Sequence, residues 1–221
     1  MNRKLILTAA VIGFCLHLCA LAARAQSDDP PKVEVAAEFT SLTKPDFDGG
    51  GTEPGFGARF TYNLNKSVAV EAVGYFFPHK CQFGSCSNDN HGNIAEGLFG
   101  VKAGKRFEKW GIFAKGRPGL ISFSQGNTGY IATGQGGVFP FIFQHDRATH
   151  FAFDAGGVIE FYPSRRIVTR FDAGDTLIHY GARTENFLVF DQNNVPSLFP
   201  FRRRAETRHN FQFAASVGFR F

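Results

Sequence analysis

Seven acids and seven bases recur at every-other-residue spacing in this chain. The acids are Glu34, Glu38, Glu71, Glu96, Asp154, Glu160 and Asp172. The bases are Arg59, Lys102, Arg106, Lys115, Arg117, Arg170 and Arg220. Each sits in a short segment whose intervening positions are apolar or small. Charges in such a pattern face an enclosed polar space while the apolar side faces something greasy. Two chemistries follow. The long cations can meet the carboxylates and fill the space as ion pairs, since enclosed charges demand pairing. Alternatively the charges line a water-filled pore. An ion-paired filling is expected.

Other residues invite a chemical reading. Cys81 and Cys86 have four residues between them in His79-Lys80-Cys81-Gln82-Phe83-Gly84-Ser85-Cys86. In an exported protein such a pair is most simply a disulfide, the alternative being a metal site with His79 and His91. Arg202, Arg203, Arg204 and Arg208 form a basic cluster that could bind phosphates of lipopolysaccharide or another anionic surface. It reads equally well as a solvated run. Catalytic sets are sparse. His150 has Ala152, not a serine, two residues on, and His209 and Ser216 lie seven apart near opposite ends of one segment. Asp172, Asp175 and His179 gather at one strand top, but two carboxylates with a histidine are more often structural. No catalytic, cofactor or metal-binding residue is expected.

Eight alternating segments must position these groups: 33–43, 55–64, 67–77, 93–107, 111–123, 149–162, 166–175 and 210–221. The last is the clearest, with Phe211, Phe213, Ala215, Val217, Phe219 and Phe221 set against Asn210, Gln212, Ser216 and Arg220. Short connections at Asn65-Lys66, Glu108-Lys109 and 163–165 alternate with long ones at 44–54, 78–91, 124–148 and 176–208. Segments of about ten residues suit tilted strands crossing a membrane, and strands can cross lipid only if the sheet closes. A soluble barrel or sandwich would also alternate, but its loops need not sort by length. Tyr62, Phe107, Trp110, Tyr162 and Phe221 lie toward the short turns, while Phe39, Phe56, Phe76, Phe123 and Phe151 lie toward the long loops. They resemble two interfacial girdles. A bulge is expected at Pro118, which deletes a ladder donor. Lys105 falls on the lipid face and is expected to snorkel. Two apolar loop segments, 138–143 and 198–201, are expected to pack together as a cap.

The N-terminus reads as a signal peptide over residues 1–25: Arg3 and Lys4, an apolar run to Leu21, and Ala23-Arg24-Ala25 for cleavage. A membrane anchor helix would need a longer run, and this one contains His17. Cys15 and Cys19 each follow a large residue and do not form a lipid-attachment site. Removing residues 1–25 removes three bases and no acid, so the formal charge falls from +5 to 21 − 19 = +2. The basic balance therefore gives no reason to invoke nucleic acid.

These residues resemble the small outer-membrane β-barrels of Gram-negative-type bacteria, of the OmpA/OmpX-like eight-stranded kind. The resemblance rests on Val217-Gly218-Phe219-Arg220-Phe221 and on the run from Gly97 to Phe107. It implies that Phe219 and Phe221 are read by the barrel-assembly machinery. The glycine often found three residues before Phe219 is Ser216 here. The expectation is an all-β, eight-stranded antiparallel transmembrane barrel over residues 33–221, after a short periplasmic segment 26–32. It would be a monomer in contact with outer-membrane lipid and lipopolysaccharide, with a structural or surface-interaction role. A narrow solute pore and a lipid-modifying enzyme are the alternatives.

Overall fold

The computed structural model describes residues 30–44, 51–78, 92–132, 141–192 and 195–221. The signal-peptide reading and Cys81 and Cys86 lie outside the described residues.

Ten strands form: β1 (Val33–Lys44), β2 (Gly51–Asn63), β3 (Val68–Phe77), β4 (Ile94–Arg106), β5 (Trp110–Ala132), β6 (Phe141–Phe161), β7 (Ile167–Tyr180), β8 (Arg183–Phe190), β9 (Pro196–Arg203) and β10 (Glu206–Arg220). Eight of them close an antiparallel barrel in the order β4-β3-β2-β1-β10-β7-β6-β5, with β5 paired back to β4. Every strand wall alternates between an inward and an outward residue, as the period-two pattern requires. Closure is made by β1 and β10, from Glu34↔Arg220 to Thr43↔Phe211.

The tight turns have local causes. Asn65 Oδ1 accepts the backbone N–H groups of Ser67 and Val68, at 2.7 and 2.9 Å. Ser164 Oγ accepts those of Arg166 and Ile167, at 3.2 and 3.1 Å. Short polar side chains that bond the backbone two and three residues on initiate turns.

The structure departs from the sequence reading in several places. β5 and β6 run 23 and 21 residues, so much of the third long connection is strand. The fourth contains the β8–β9 hairpin. That hairpin continues the β7–β10 register: Tyr180↔Glu206 is followed, three residues on, by Arg183↔Arg203. Above Ile94↔Phe123, where β4 ends, β8 meets β5 at Gly129↔Asn186.

Pro118 causes no bulge. Leu98↔Gly119 and Val101↔Gly116 keep one register across it, and the β6 ladder is continuous through Pro118↔Phe153. Its missing donor costs only ladder pairing on the β4 side. The register shifts lie higher, between Phe123 and Gly126 and between Asn127 and Gly129.

Two girdle assignments also fail. Phe123 and Tyr162 are buried inside the barrel, because the alternation carries them to the inner face. The expected cap involves segment 138–143, whose side chains lie outside the described ones; of its other half, Phe199 and Phe201 are exposed on the β8–β9 hairpin.

Candidate functional site

The inner wall has two storeys. The storey toward the short turns is ionic. Its centre is Arg170, which bonds Asp172 on its own strand through Nε at 2.5 Å and Nη2 at 2.9 Å. Arg170 also crosses to Glu71 on β3, with Nη2 to Oε2 at 3.1 Å and a second, shorter contact. Arg59 joins Glu38 at 2.7 Å and reaches Glu71 at 3.6 Å, while donating to Ser216 Oγ at 3.1 Å. Arg117 and Lys115 share Asp154, at 2.8 and 2.9 Å. Lys102 pairs with Glu160 and lies 3.6 Å from Glu71. At the turn end, Arg106 reaches Glu34 at 3.6 Å and Glu160 at 3.5 Å, and Arg220 reaches Glu34 at 3.3 Å.

These contacts connect thirteen of the fourteen charged positions read from the sequence. Glu96 is the exception: its Oε2 accepts from Gln212 Nε2 at 2.8 Å, and no cation pairs with it among the described residues. Gly100 makes room for this packing, since a Cβ there would collide with Arg117 and the Gly116 carbonyl. Aromatic side chains seal the ends of the network. The Tyr162 hydroxyl donates to Glu160 at 2.8 Å and accepts from Arg106 Nε at 2.9 Å, and the Arg220 guanidinium lies 4.4 Å from its ring centre.

The second storey, toward the far end, is mainly apolar and encloses the hydrogen-bonded Glu96, Gln212 and Thr176. Leu42, Val73, Tyr75, Phe77, Ile94, Leu98, Ile121, Phe123 and Ile178 pack as one buried cluster with Ala152 and Ala214. Tyr75 joins the storeys: its hydroxyl donates to Glu38 at 2.6 Å while its ring packs 6.3 Å from Phe77. Above it, the Tyr180 ring packs at a tilt against His150, with centres 4.5 Å apart, and the Arg208 guanidinium lies 5.2 Å from the Tyr180 ring centre. The sequence reading missed this storey. Its signal was present in inward positions such as Leu42, Phe77, Ile94 and Ile121, masked because outward neighbours are equally apolar.

The outer wall is the reverse of a soluble protein's surface. Phe39, Phe56, Phe60, Phe99, Val101, Ile112, Leu120, Phe151, Phe171, Phe211, Val217 and Phe219 are exposed. Phe221 is exposed at the turn end, and Lys105 lies outside with its Nζ 5.3 Å from the Phe107 ring centre.

The basic cluster does not form one patch. Alternation sends Arg203 to the hairpin face opposite Arg202. Arg203 and Arg183 grip the buried Glu185, at 2.7 and 2.5 Å, and Arg208 bonds Glu206 at 2.5 Å. Arg202 and Arg204 are exposed. The suspected grouping of Asp172, Asp175 and His179 is divided by the wall. Asp172 faces inward, whereas Asp175 faces outward and contacts His209, not His179.

No family model matches the chain, and no curated protein matches it. Among solved structures, Neisserial surface protein A is similar at a TM-score of 0.43 and 12% identity, covering 90% of this chain and 100% of that one. The N-terminal β-barrel domain of Pseudomonas aeruginosa OprF gives 0.40 and 14%, covering 87% and 99%. Ail, the attachment invasion locus protein of Yersinia pestis, gives 0.41 and 13%, covering 88% and 100%. The chain is an all-β protein with a closed eight-stranded antiparallel barrel, built with charge inside and hydrocarbon outside.

Proposed function

We propose that this protein is an integral outer-membrane β-barrel with a closed lumen, serving as a structural scaffold that presents its far-end hairpins as an interaction surface. One observation carries the reading: the distribution is inside-out. Arg59, Arg117 and Arg170 are at most 2% exposed, while Phe39, Phe99 and Phe219 are at least 57% exposed. Water would reverse this arrangement, because apolar area seeks burial and an isolated charge pays heavily to leave solvent. A bilayer satisfies it, since a closed barrel leaves no unpaired edge in the hydrocarbon. Among the described residues no helix is long and apolar enough to cross a membrane.

In this reading the two storeys close the lumen, the ionic one by filling its cross-section and the apolar one by excluding water. An eight-stranded barrel is narrow enough for side chains to do both. The remaining assignments belong to the same proposal. Residues 1–25 direct export and are removed. Phe219 and Phe221 are read by the assembly machinery. The wall contacts outer-membrane lipid, including lipopolysaccharide. Arg202 and Arg204 are the cations of the basic cluster offered to an anionic surface, with Arg203 and Arg208 held back by Glu185 and Glu206. The protein acts as a monomer.

The test is gel migration with and without boiling after refolding into detergent or lipid. A folded transmembrane barrel resists detergent and migrates as a compact species until boiled. Identical mobility before and after boiling would contradict the reading.

A further inference from the structure

We propose that the short-turn rim of the barrel is a binding surface for anionic phospholipid headgroups, formed by a ring of exposed cations: Lys32, Lys66, Lys105, Lys109, Arg165 and Arg166. The inference rests on the membrane reading above and adds which lipid this rim selects in the leaflet it faces.

Charge is the first observation. All six cations are exposed. Glu108 is the only exposed acid among the described residues of the three tight turns and of the chain flanking the β1–β10 seam at this end. The side-chain balance of the rim is therefore 6 − 1 = +5. Adding Asp28 and Asp29, which precede Lys32 and lie outside the described residues, leaves 6 − 3 = +3. A surface that needed only solvation would intersperse the two signs.

The cations ride on one closed backbone ring. The Asn63 N–H donates to the Lys32 carbonyl at 2.8 Å, and the Gly104 N–H donates at 2.8 Å to the carbonyl of Ser67, the neighbour of Lys66. The Tyr162 N–H donates to the Lys109 carbonyl and the Arg220 N–H to the Arg166 carbonyl, both at 2.9 Å. The Phe221 N–H then meets the Val33 carbonyl at 2.8 Å. With the three turns, these bonds link all eight barrel strands at this end. The positive charge encircles the barrel instead of forming a patch on one side.

Depth selects the membrane as the partner. Lys32 is one residue from Val33, Lys66 two from Leu64, Lys109 one from Trp110, and Arg165 and Arg166 two and one from Ile167. These four apolar residues belong to the outward wall. One or two residues at ~3.3 Å each place the cations within a headgroup layer roughly 5–8 Å deep. Lys105 lies in the wall itself, with its Nζ 5.3 Å from the Phe107 ring centre, and that ring stacks on Trp110 at 4.2 Å. A long cation laid along aromatic rings at the wall's edge carries its charge to the interface. A partner docked beneath the turn tips would leave Lys105 uncovered, whereas surrounding lipid reaches Lys105 and the turns alike.

Recognition is Coulombic. Phosphatidylglycerol carries a net negative charge at its phosphate diester, and phosphatidylcholine does not. Each Lys or Arg near a bilayer surface favours anionic lipid by about five-fold at low salt. Short turns of outer-membrane barrels face the periplasm, so the ligand is an anionic phospholipid of the periplasmic leaflet.

Trp110 is the only tryptophan of the chain and reports the lipid beside this rim. The test refolds the full mature chain into vesicles of phosphatidylglycerol and phosphatidylcholine, with one or the other brominated. Both leaflets then offer the same choice, whichever way the barrel inserts. Quenching of Trp110 gives the ratio of the two lipids at the rim, and gel mobility before and after boiling reports folding separately. At low salt the ratio should exceed the bulk proportion of phosphatidylglycerol by about five-fold or more, and it should fall toward that proportion as salt screens the charges. Lys105→Gln with Lys109→Gln should lower the preference several-fold, while Lys105→Arg with Lys109→Arg should keep it. Arg147→Gln, exposed toward the far end of β6, should leave it unchanged. A folded barrel quenched equally by both lipids overturns the proposal and turns the search to a soluble acidic partner. A preference untouched by the paired glutamine change overturns it as well. Neither result disturbs the scaffold reading. Failure of the compact gel species to form would overturn the membrane reading and this inference with it.

Discussion

Arg170 on β7 reaches across the lumen to Glu71 on β3 while holding Asp172 on its own strand. Both acids and the arginine are almost fully buried, so the three charges depend on one another. Removing one partner leaves an uncompensated buried charge. Arg170→Met is therefore expected to destabilise the barrel by about 3–5 kcal/mol. The check is urea unfolding in lipid, followed by loss of the compact gel species. Glu71→Gln with Arg170→Met together should cost less than the sum of the single changes, because the double change removes both ends of one interaction.

The apolar storey is a separate support. Phe77 is buried among Tyr75, Ile94 and Leu98 within the same cluster. Phe77→Ala should cost about 3–5 kcal/mol in the same unfolding measurement. It should produce no ion channel, since the ionic storey below it remains filled. Conductance in the alanine variant would show that the apolar residues alone hold the lumen shut.

The outer wall should behave as a lipid surface. Phe99 is exposed and lies opposite Ala72 in the β3–β4 ladder, in the middle of the apolar band. Phe99→Arg is expected to destabilise the barrel in a bilayer by about 2–4 kcal/mol. A wall facing water would accept arginine at this position almost without cost, and unfolding in lipid vesicles separates the two outcomes.

The C-terminal aromatics should matter more for assembly than for stability. Phe221 closes the seam through its backbone, and its side chain is exposed: its N–H donates to the Val33 carbonyl at 2.8 Å, and its carbonyl accepts from the Val33 N–H at 3.2 Å. Phe221→Ala is expected to reduce the fraction of chains assembled in cells several-fold. The refolded, purified protein should keep its unfolding midpoint within a narrow range. Equal losses in both settings would make Phe221 a packing residue and not an assembly signal.

The barrel was legible in the sequence because a closed strand wall writes a period of two at every position. Glu71, Arg170 and Asp172 could be placed inward by parity alone, although their pairing could not. Parity says which wall a side chain faces and nothing about its height, so the partner across the lumen is set by tilt and closure. Phe123 and Tyr162 were misplaced for a related reason: an aromatic near a strand end suits a membrane interface or a plug equally well. The β8–β9 hairpin was hidden because Pro196 and Pro200 resemble loop punctuation, yet both lie in a strand paired on one side by β8. The Asp175–His209 contact joins residues 34 apart in sequence, and only the β7–β10 register reveals it.

The central claim is that the lumen is closed by two filled storeys. Planar-bilayer recording of the refolded protein, at moderate salt and on both polarities, tests it most directly. The expected result is insertion without steady conductance, and with no opening created by Phe77→Ala. Steady open channels of porin size in the unaltered protein would contradict it.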